Sequence, residues 1–247
     1  MRYALTFGAL GIVCAAYAAT TPSWLVRILL FCFAVAWCGV SLAYAGLGPR
    51  TFLKRPDGHL HFLSYLLFWP YFAFNVLSLW FYRQQRGGHL WDEIVPRLYL
   101  GGVLTRRQAQ AARDLGVVSV LDVTSEWGVT LGWANTTYKT IPVLDTLAPT
   151  IPQLVEGAQW LQEATQRGPV YVHCALGHGR SVTFVAAYLL LSGQTTSVEA
   201  ALTLLKTQRP AVTISRPQMR VLRAFETGLR DGEEAHNSTA PEGNHSQ

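Results

Sequence analysis

The chain has 247 residues, half of them hydrophobic, and only 14% are charged against roughly 25% in an ordinary soluble domain. That composition, with only four cysteines, excludes a disordered, collagenous or disulfide-scaffold protein; the length allows one large domain, or a membrane segment plus a domain of roughly 150 residues. The net charge of +5 and an isoelectric point near 9.2 suit nucleic acid or an anionic membrane until the basic residues are located.

Three apolar stretches fill the first third. Residues 3–19 carry no charge and are rich in small side chains; residues 24–47 follow after the break Thr20-Thr21-Pro22-Ser23. The second stretch is long enough for a bilayer core of roughly 30 Å, and its one charge, Arg27, lies near an end where it can snorkel. Together they predict a helical hairpin. Met1-Arg2, the first apolar run and Ala16-Tyr17-Ala18 mimic a signal peptide, but another full-length span follows within a few residues, which favours a retained hairpin. Residues 62–82 hold ten aromatics, Pro70 and Asn75, a pattern that fits a kinked span, a re-entrant segment or an interfacial helix. Arg2 and the group Arg50, Lys54, Arg55 fall on one side of the hairpin, which the positive-inside rule makes cytoplasmic. Arg83 and Arg86 stay on that side only if the third stretch dips in and returns or lies flat, and that geometry is preferred.

From Trp91 onward the pattern is that of a soluble α/β domain. Strands are predicted over 97–100, 117–123, 138–143 and 170–173. Helices are predicted over 105–114, from Thr150 to 166, and over 181–191, 197–207 and 216–229; Thr150 and Gln153 have capping-box spacing. Alternating strands and helices imply a central sheet flanked by helices. Residues 231–247 are polar and predict a disordered tail. The expected organisation is a membrane anchor over 1–90, a catalytic domain over 91–230 and the tail. No internal repeat is present.

The chemistry sits in His173-Cys174-Ala175-Leu176-Gly177-His178-Gly179-Arg180-Ser181, between an apolar strand and an apolar helix. A loop entering a helix N-terminus turns its backbone N–H groups towards one point and makes an anion site. Gly177 and Gly179 permit the unusual dihedrals, and Arg180 can grip a phosphate with two parallel hydrogen bonds. Residues 175–180 are thus the expected phosphate-binding set. The same positive field lowers the pKa of Cys174 and makes a thiolate available for in-line attack on phosphorus. A buried, inert cysteine is the ordinary alternative, and this glycine-rich context makes it a poor one. Cys14, Cys32 and Cys38 lie in the apolar stretches and imply no disulfide framework. A working thiolate favours a reducing compartment.

This run resembles the HCxxGxxR-[ST] signature of the dual-specificity branch of cysteine-dependent phosphatases. Leu98-Tyr99-Leu100-Gly101 is similar to the family's first strand and glycine, and residues 186–191 followed by 197–209 are similar to its later helices. The resemblance covers the soluble domain and implies a phosphocysteine intermediate, no metal or other cofactor, and an aspartate general acid on a separate loop. Asp145, 29 positions before Cys174, matches that acid; independently, a leaving alkoxide needs a proton from a loop over the cradle. Ser181 matches the hydroxyl that helps expel the thiolate, and His173 a residue that orients the cysteine loop. His178 reads as a solvated loop residue. Asp122 and Glu126 read as a solvated strand end and helix start. More weakly, Lys54-Arg55-Pro56-Asp57-Gly58-His59-Leu60 before an aromatic run with Pro70-Tyr71 is similar to the linker of bacterial membrane-tethered phosphatases, which implies a bacterial inner-membrane protein.

The expected activity is phosphomonoester hydrolysis at a membrane. Tethering favours a lipid phosphate such as phosphatidylglycerophosphate or a phosphoinositide over a phosphoprotein. The alternatives are a rhodanese-like sulfurtransferase, against which His173, Ser181 and Asp145 argue, and a non-catalytic phosphate-binding membrane adaptor, which could dispense with Cys174 or Asp145. No nucleic-acid motif or metal-ligand cluster is present, and the sequence says nothing of oligomeric state. Residues 1–90 carry seven Lys and Arg against Asp57 alone, net +6; the remainder carries thirteen against fourteen acids, net −1. The basic character belongs to the anchor, where it reads as orientation and lipid attraction.

Overall fold

Small residues set the first contact. In the computed structural model, which describes residues 2–86 and 89–238, α1 (Arg2–Thr20) and α2 (Trp24–Leu42) form the expected hairpin. A Cβ added at Gly11 would lie 2.6 Å from Cys38 Sγ, so the glycine lets the two helices approach closely. Beyond α2 the chain tightens through a π turn (Ala43–Leu47) and a 3-10 turn (Gly48–Phe52). The Lys54–Leu60 segment, expected as a linker, folds back as a small hairpin, with Arg55 N–H on His59 O at 2.8 Å and His61 N–H on Leu53 O at 3.1 Å.

The third apolar stretch is one unbroken helix, α3 (Phe62–Arg86), with Pro70 inside it. This removes the re-entrant reading. By length and composition, all three anchor helices are apolar enough to cross a membrane. Yet α3 runs along the rest of the protein. Tyr65 Oη would lie 3.0 Å from a Cβ at Gly128, and Arg83 donates to Val103 O eighteen residues further along.

The catalytic part is a five-stranded mixed sheet in the order β1-β2-β5-β3-β4. β1 (Trp91–Val95), which the sequence reading missed, pairs antiparallel with β2 (Leu98–Gly101). The other neighbours, β3 (Ser119–Thr124), β4 (Thr137–Val143) and β5 (Val170–His173), are parallel to β2 and to one another. Helix α4 (Arg106–Asp114) covers one face, where Ala109, Ala112, Val120 and Trp133 pack around Tyr171. Helices α5 (Ile151–Arg167), α6 (Arg180–Leu191), α7 (Val198–Gln208) and α8 (Arg216–Ser238) cover the other. Capping boxes at Thr105 and Thr150 start α4 and α5. Helix α6 is buried almost throughout because it lies beneath its neighbours, and each fully buried Leu or Phe there contributes about 1.5–3 kcal/mol. Helix α8 continues to Ser238, past residue 231 where a disordered tail was expected; residues 239–247 lie outside the described residues.

The N-terminal helical part and the catalytic part share buried contacts. Phe52, Phe68 and Tyr71 of the anchor form one apolar cluster with Leu144. Lys54 Nζ, 1% exposed, reaches Asp122 Oδ2 at 2.6 Å, Thr124 O at 2.7 Å and Thr124 Oγ1 at 3.1 Å. Lys54 is therefore an internal cation rather than an orienting surface charge, and Asp122, expected at a solvated strand end, is buried. Burial acts to raise the Asp122 pKa, but Lys54 and the hydrogen bonds outweigh it and hold the carboxyl at about 2.

Removing one partner of such a pair strands a buried charge. Lys54→Met is expected to lower the unfolding free energy by about 3–5 kcal/mol, and Lys54→Met with Asp122→Asn to recover most of the loss, read from thermal unfolding of the full-length chain in detergent. Because the folded carboxyl is depressed, its contribution is present above an unfolded pKa of roughly 4 and is lost as pH falls through about 2.

Candidate active site

Parallel strands bring their C-terminal ends to one side of a sheet, and loops leaving neighbouring ends meet there. Here Asp122 of β3 is in register with His173 of β5, and Thr124 with Val143 of β4. Glu126, Asp145 and Cys174, far apart in sequence, thus leave adjacent strand ends and converge.

The loop from Cys174 to Arg180 closes into a cradle at the start of α6. Gly177 has φ +74° and packs on Gly101 so closely that a Cβ would lie 2.4 Å from Gly101 O, so only glycine fits. Its N–H points at Cys174 Sγ at 3.3 Å, and the Ser181 hydroxyl donates to the same sulfur at 3.3 Å. Cys174 is buried, which acts to raise its thiol pKa; the Arg180 charge and hydrogen bonds from the Ser181 hydroxyl and the Ser181 and His178 N–H groups prevail and bring it below the ordinary value. Arg209 braces the outer side of the loop through Gly177 O at 3.0 Å and Leu176 O at 3.1 Å, and is itself paired with Asp92 at 2.6 Å.

Arg180 is the central charge. Only 2% exposed, it makes a two-pronged pair with Glu126, Nη1 to Oε2 at 3.0 Å and Nη2 to Oε1 at 2.7 Å, and donates to Val143 O at 2.8 Å. Burial acts against its charge, but Glu126 and Asp145 raise its pKa well above the ordinary value. Glu126 is correspondingly lowered: burial opposes its ionisation and Arg180 overcomes that. Arg180 Nε is buried with no hydrogen-bond partner, a donor suited to an anion's oxygen. Asp145 sits over this cradle, its carboxylate 56% exposed and 3.0 Å from Arg180 Nη2.

His173 is buried behind the cysteine. Its Nε2 is 3.5 Å from Tyr138 Oη, which donates to Asp122 at 2.7 Å, and its Nδ1 is 4.0 Å from Asp122 Oδ1. Burial lowers its pKa against the pull of Asp122, so the imidazole is neutral, in keeping with an orienting position.

The structure brings together Cys174, Arg180, Ser181, His173 and Asp145. It corrects two expectations. Glu126 is no solvated residue: it is buried on Arg180, and in the sequence it shows only as an acid just past an apolar strand. His178 is half-buried against the anchor, its ring 5.6 Å from that of Tyr82 and its Nδ1 3.4 Å from Tyr82 Oη. The N-terminal helices also bring residues to the candidate site that motif reading could not reach. Tyr44 donates to Asp145 O at 3.1 Å. Asn75, Ser78 and Tyr82 of α3 face Asp145, Ala175 and Leu176 across a cavity of about 120 Å³. Among the described residues no three His, Cys, Asp or Glu side chains are gathered as metal ligands would be.

Comparison with known proteins matches this geometry. The sequence profile of the dual specificity phosphatase catalytic domain matches residues 98–228. The phosphatidylglycerophosphate phosphatase PTPMT2 of Arabidopsis thaliana is 28% identical over 167 residues, covering 65% of this chain and 72% of its own. Dual specificity protein phosphatase 26 of Homo sapiens is 32% identical over 151 residues, covering 58% and 71%. The crystal structure of Tk-PTP in its active form aligns with a TM-score of 0.51 and 28% identity over 56% of this chain and 97% of its own. The matched region contains Glu126, Asp145, Cys174 and Arg180; it leaves out Tyr44, Lys54 and Asn75. Sulfur transfer and a non-catalytic adaptor are thereby set aside. With a thiol poised in an arginine-closed anion cradle and more than half its length matched by that one profile, the chain belongs to the dual specificity phosphatase family and is a phosphoric monoester hydrolase of the protein-tyrosine-phosphatase type.

Proposed function

We propose that the protein is a membrane-anchored phosphatase that removes the phosphoryl group from a lipid phosphomonoester, working at the cytoplasmic face of a bacterial inner membrane. One observation carries the lipid reading: α3 is inside out. Its polar residues Tyr71, Asn75, Ser78 and Tyr82 line the cavity shared with the catalytic part, while Leu66, Trp69, Val76, Leu77, Trp80 and Phe81 are exposed. An apolar patch of that kind on a helix joined to two bilayer-length helices is matched by lipid rather than by water. A helix in the membrane interface then forms one wall of the active site, and a headgroup arrives without leaving the bilayer. The Arabidopsis relative, a phosphatidylglycerophosphate phosphatase, supports the same substrate class. An in-plane α3 also keeps Arg2, Arg50, Arg55 and Arg83 on one side, in accord with the positive-inside rule.

The geometry supports a two-step mechanism. The Cys174 thiolate attacks phosphorus in line while the cradle N–H groups and Arg180 hold the equatorial oxygens, whose charge they stabilise in the transition state. The P–O bond to the alcohol breaks, and Asp145 donates its proton to the departing alkoxide. Water then attacks the phosphocysteine and gives its proton to Asp145. The S–P bond breaks with Ser181 donating a hydrogen bond to the leaving thiolate, and inorganic phosphate departs. Glu126 acts through Arg180 as a positioning residue.

Cys174→Ser is expected to abolish phosphate release from an aryl phosphate, and Asp145→Ala to slow hydrolysis of lipid substrates about 10²–10⁴-fold; undiminished turnover by Cys174→Ser would overturn the mechanism. Glu126→Gln is expected to cost about 10²-fold in kcat/KM through misplacement of Arg180. Alkylation of Cys174 by iodoacetamide should reach half its maximal rate below the ordinary thiol value of about 8.5, and Ser181→Ala should move that midpoint upward. A panel of lipid phosphates and phosphopeptides in mixed micelles tests the substrate class, and a clear preference for peptides reverses it. A reporter fused beyond the catalytic domain should report the cytoplasm.

A further inference from the structure

Helix α3 brings Tyr71, Asn75, Ser78, Leu79 and Tyr82 to the cavity beside the cradle, and none of them carries charge at neutral pH. All lie outside the region shared with the family. Asn75 is the anomaly among them. A primary amide offers two donors and two acceptor sites, yet Asn75 Nδ2 is shielded from solvent with no hydrogen-bond partner. Its polar neighbour Tyr71, one turn back, is buried as well, and the amide approaches the Tyr71 hydroxyl without reaching good hydrogen-bond geometry. Leaving a shielded donor unpaired destabilises the protein, and leucine in so apolar a helix would avoid that cost. Ser78, one turn further along the wall, adds a hydroxyl on the same stripe.

Across the cavity stand Asp145 and the loop backbone at Ala175 and Leu176. Asp145 has to reach the ester oxygen between phosphorus and the alcohol. The group lying between Asp145 and α3 is therefore the alcohol half of the substrate. A neutral amide beside a hydroxyl, with no cation or anion on this wall, is matched to hydroxyl groups rather than to a second charge.

We propose that Asn75 is a specificity-determining residue that hydrogen-bonds a free hydroxyl next to the phosphoester, so that the anchor helix selects lipids with a polyol phosphate headgroup over those whose alcohol carries no hydroxyl. The assignment rests on the lipid-phosphatase reading. It places substrate choice outside the family domain, on a helix that domain lacks.

The test uses the full-length protein in mixed micelles and compares kcat/KM for phosphatidylglycerophosphate and a phosphoinositide, whose headgroups keep hydroxyls beside the phosphate, with phosphatidic acid, which has none. Wild type is expected to prefer one or both polyol lipids. Asn75→Leu is expected to lower the ratio of the preferred lipid to phosphatidic acid about tenfold, the worth of one hydrogen bond, with a thermal midpoint no lower than wild type. A ratio unchanged within twofold overturns the role of Asn75 and leaves the lipid reading standing. A lowered midpoint makes Asn75 a structural residue and also overturns it. Wild-type protein that hydrolyses phosphopeptides but none of the three lipids overturns the lipid reading itself, and the assignment with it.

Discussion

A guanidinium at the centre of a folded domain costs several kcal/mol in lost hydration unless it is paired and hydrogen-bonded, and the active site is arranged around meeting that condition for Arg180. Glu126 takes two of its N–H groups and the Val143 carbonyl a further bond, so the side chain ties together the ends of β3 and β4 and the helix that follows β5. One consequence is geometric: the cradle, the Asp145 loop and the cysteine are held in one frame. Another is electrostatic, because the charge kept here lowers the thiol pKa of Cys174 against its own burial. Nε is left without a protein partner, so the same arrangement leaves a donor for phosphate.

The anchor is part of that frame. Lys54 neutralises Asp122, whose other contacts run through Tyr138 to His173, the residue before the nucleophile. Leu144, next to Asp145, packs in the aromatic cluster of Phe52, Phe68 and Tyr71, and Tyr44 fixes the Asp145 carbonyl. The loop carrying the proposed acid is thus held from one side by Arg180 and from the other by the anchor. Part of the positive charge of residues 1–90 is thus spent internally, on Asp122.

On the proposed reading, a helix with an exposed apolar side beside the active site couples substrate access to location. The polar residues of α3 line the cavity it shares with the catalytic part, and its apolar side is exposed. On the proposed reading the phosphoester lies at the boundary between bilayer and protein, where tethering raises the effective concentration of headgroups.

Most of the architecture was legible in the sequence because it rests on local signals. Hydrophobic runs marked the anchor helices; the boxes at Thr105 and Thr150 marked helix starts; glycines, Arg180 and Ser181 around Cys174 marked the cradle, since seven consecutive positions suffice to build it. Asp145 was singled out by the family resemblance, as the aspartate 29 positions before Cys174. β1 was missed because its strand character comes from pairing with β2 rather than from its own pattern. Glu126, Lys54 and Asn75 were out of reach for a stronger reason. Glu126 and Lys54 pair with residues 54 and 68 positions away, and Asn75 lines a cavity with residues up to about 100 positions away; only strand register and the path of α3 across the domain decide that they meet. The sequence by itself determined most of the helices and the loop around Cys174, whose glycines, arginine and serine lie within one contiguous run. Tertiary structure alone decided which acid holds Arg180, which cation neutralises Asp122 and which helix walls the site, because burial turns surface-like charges into fixed partners only once distant segments have packed together.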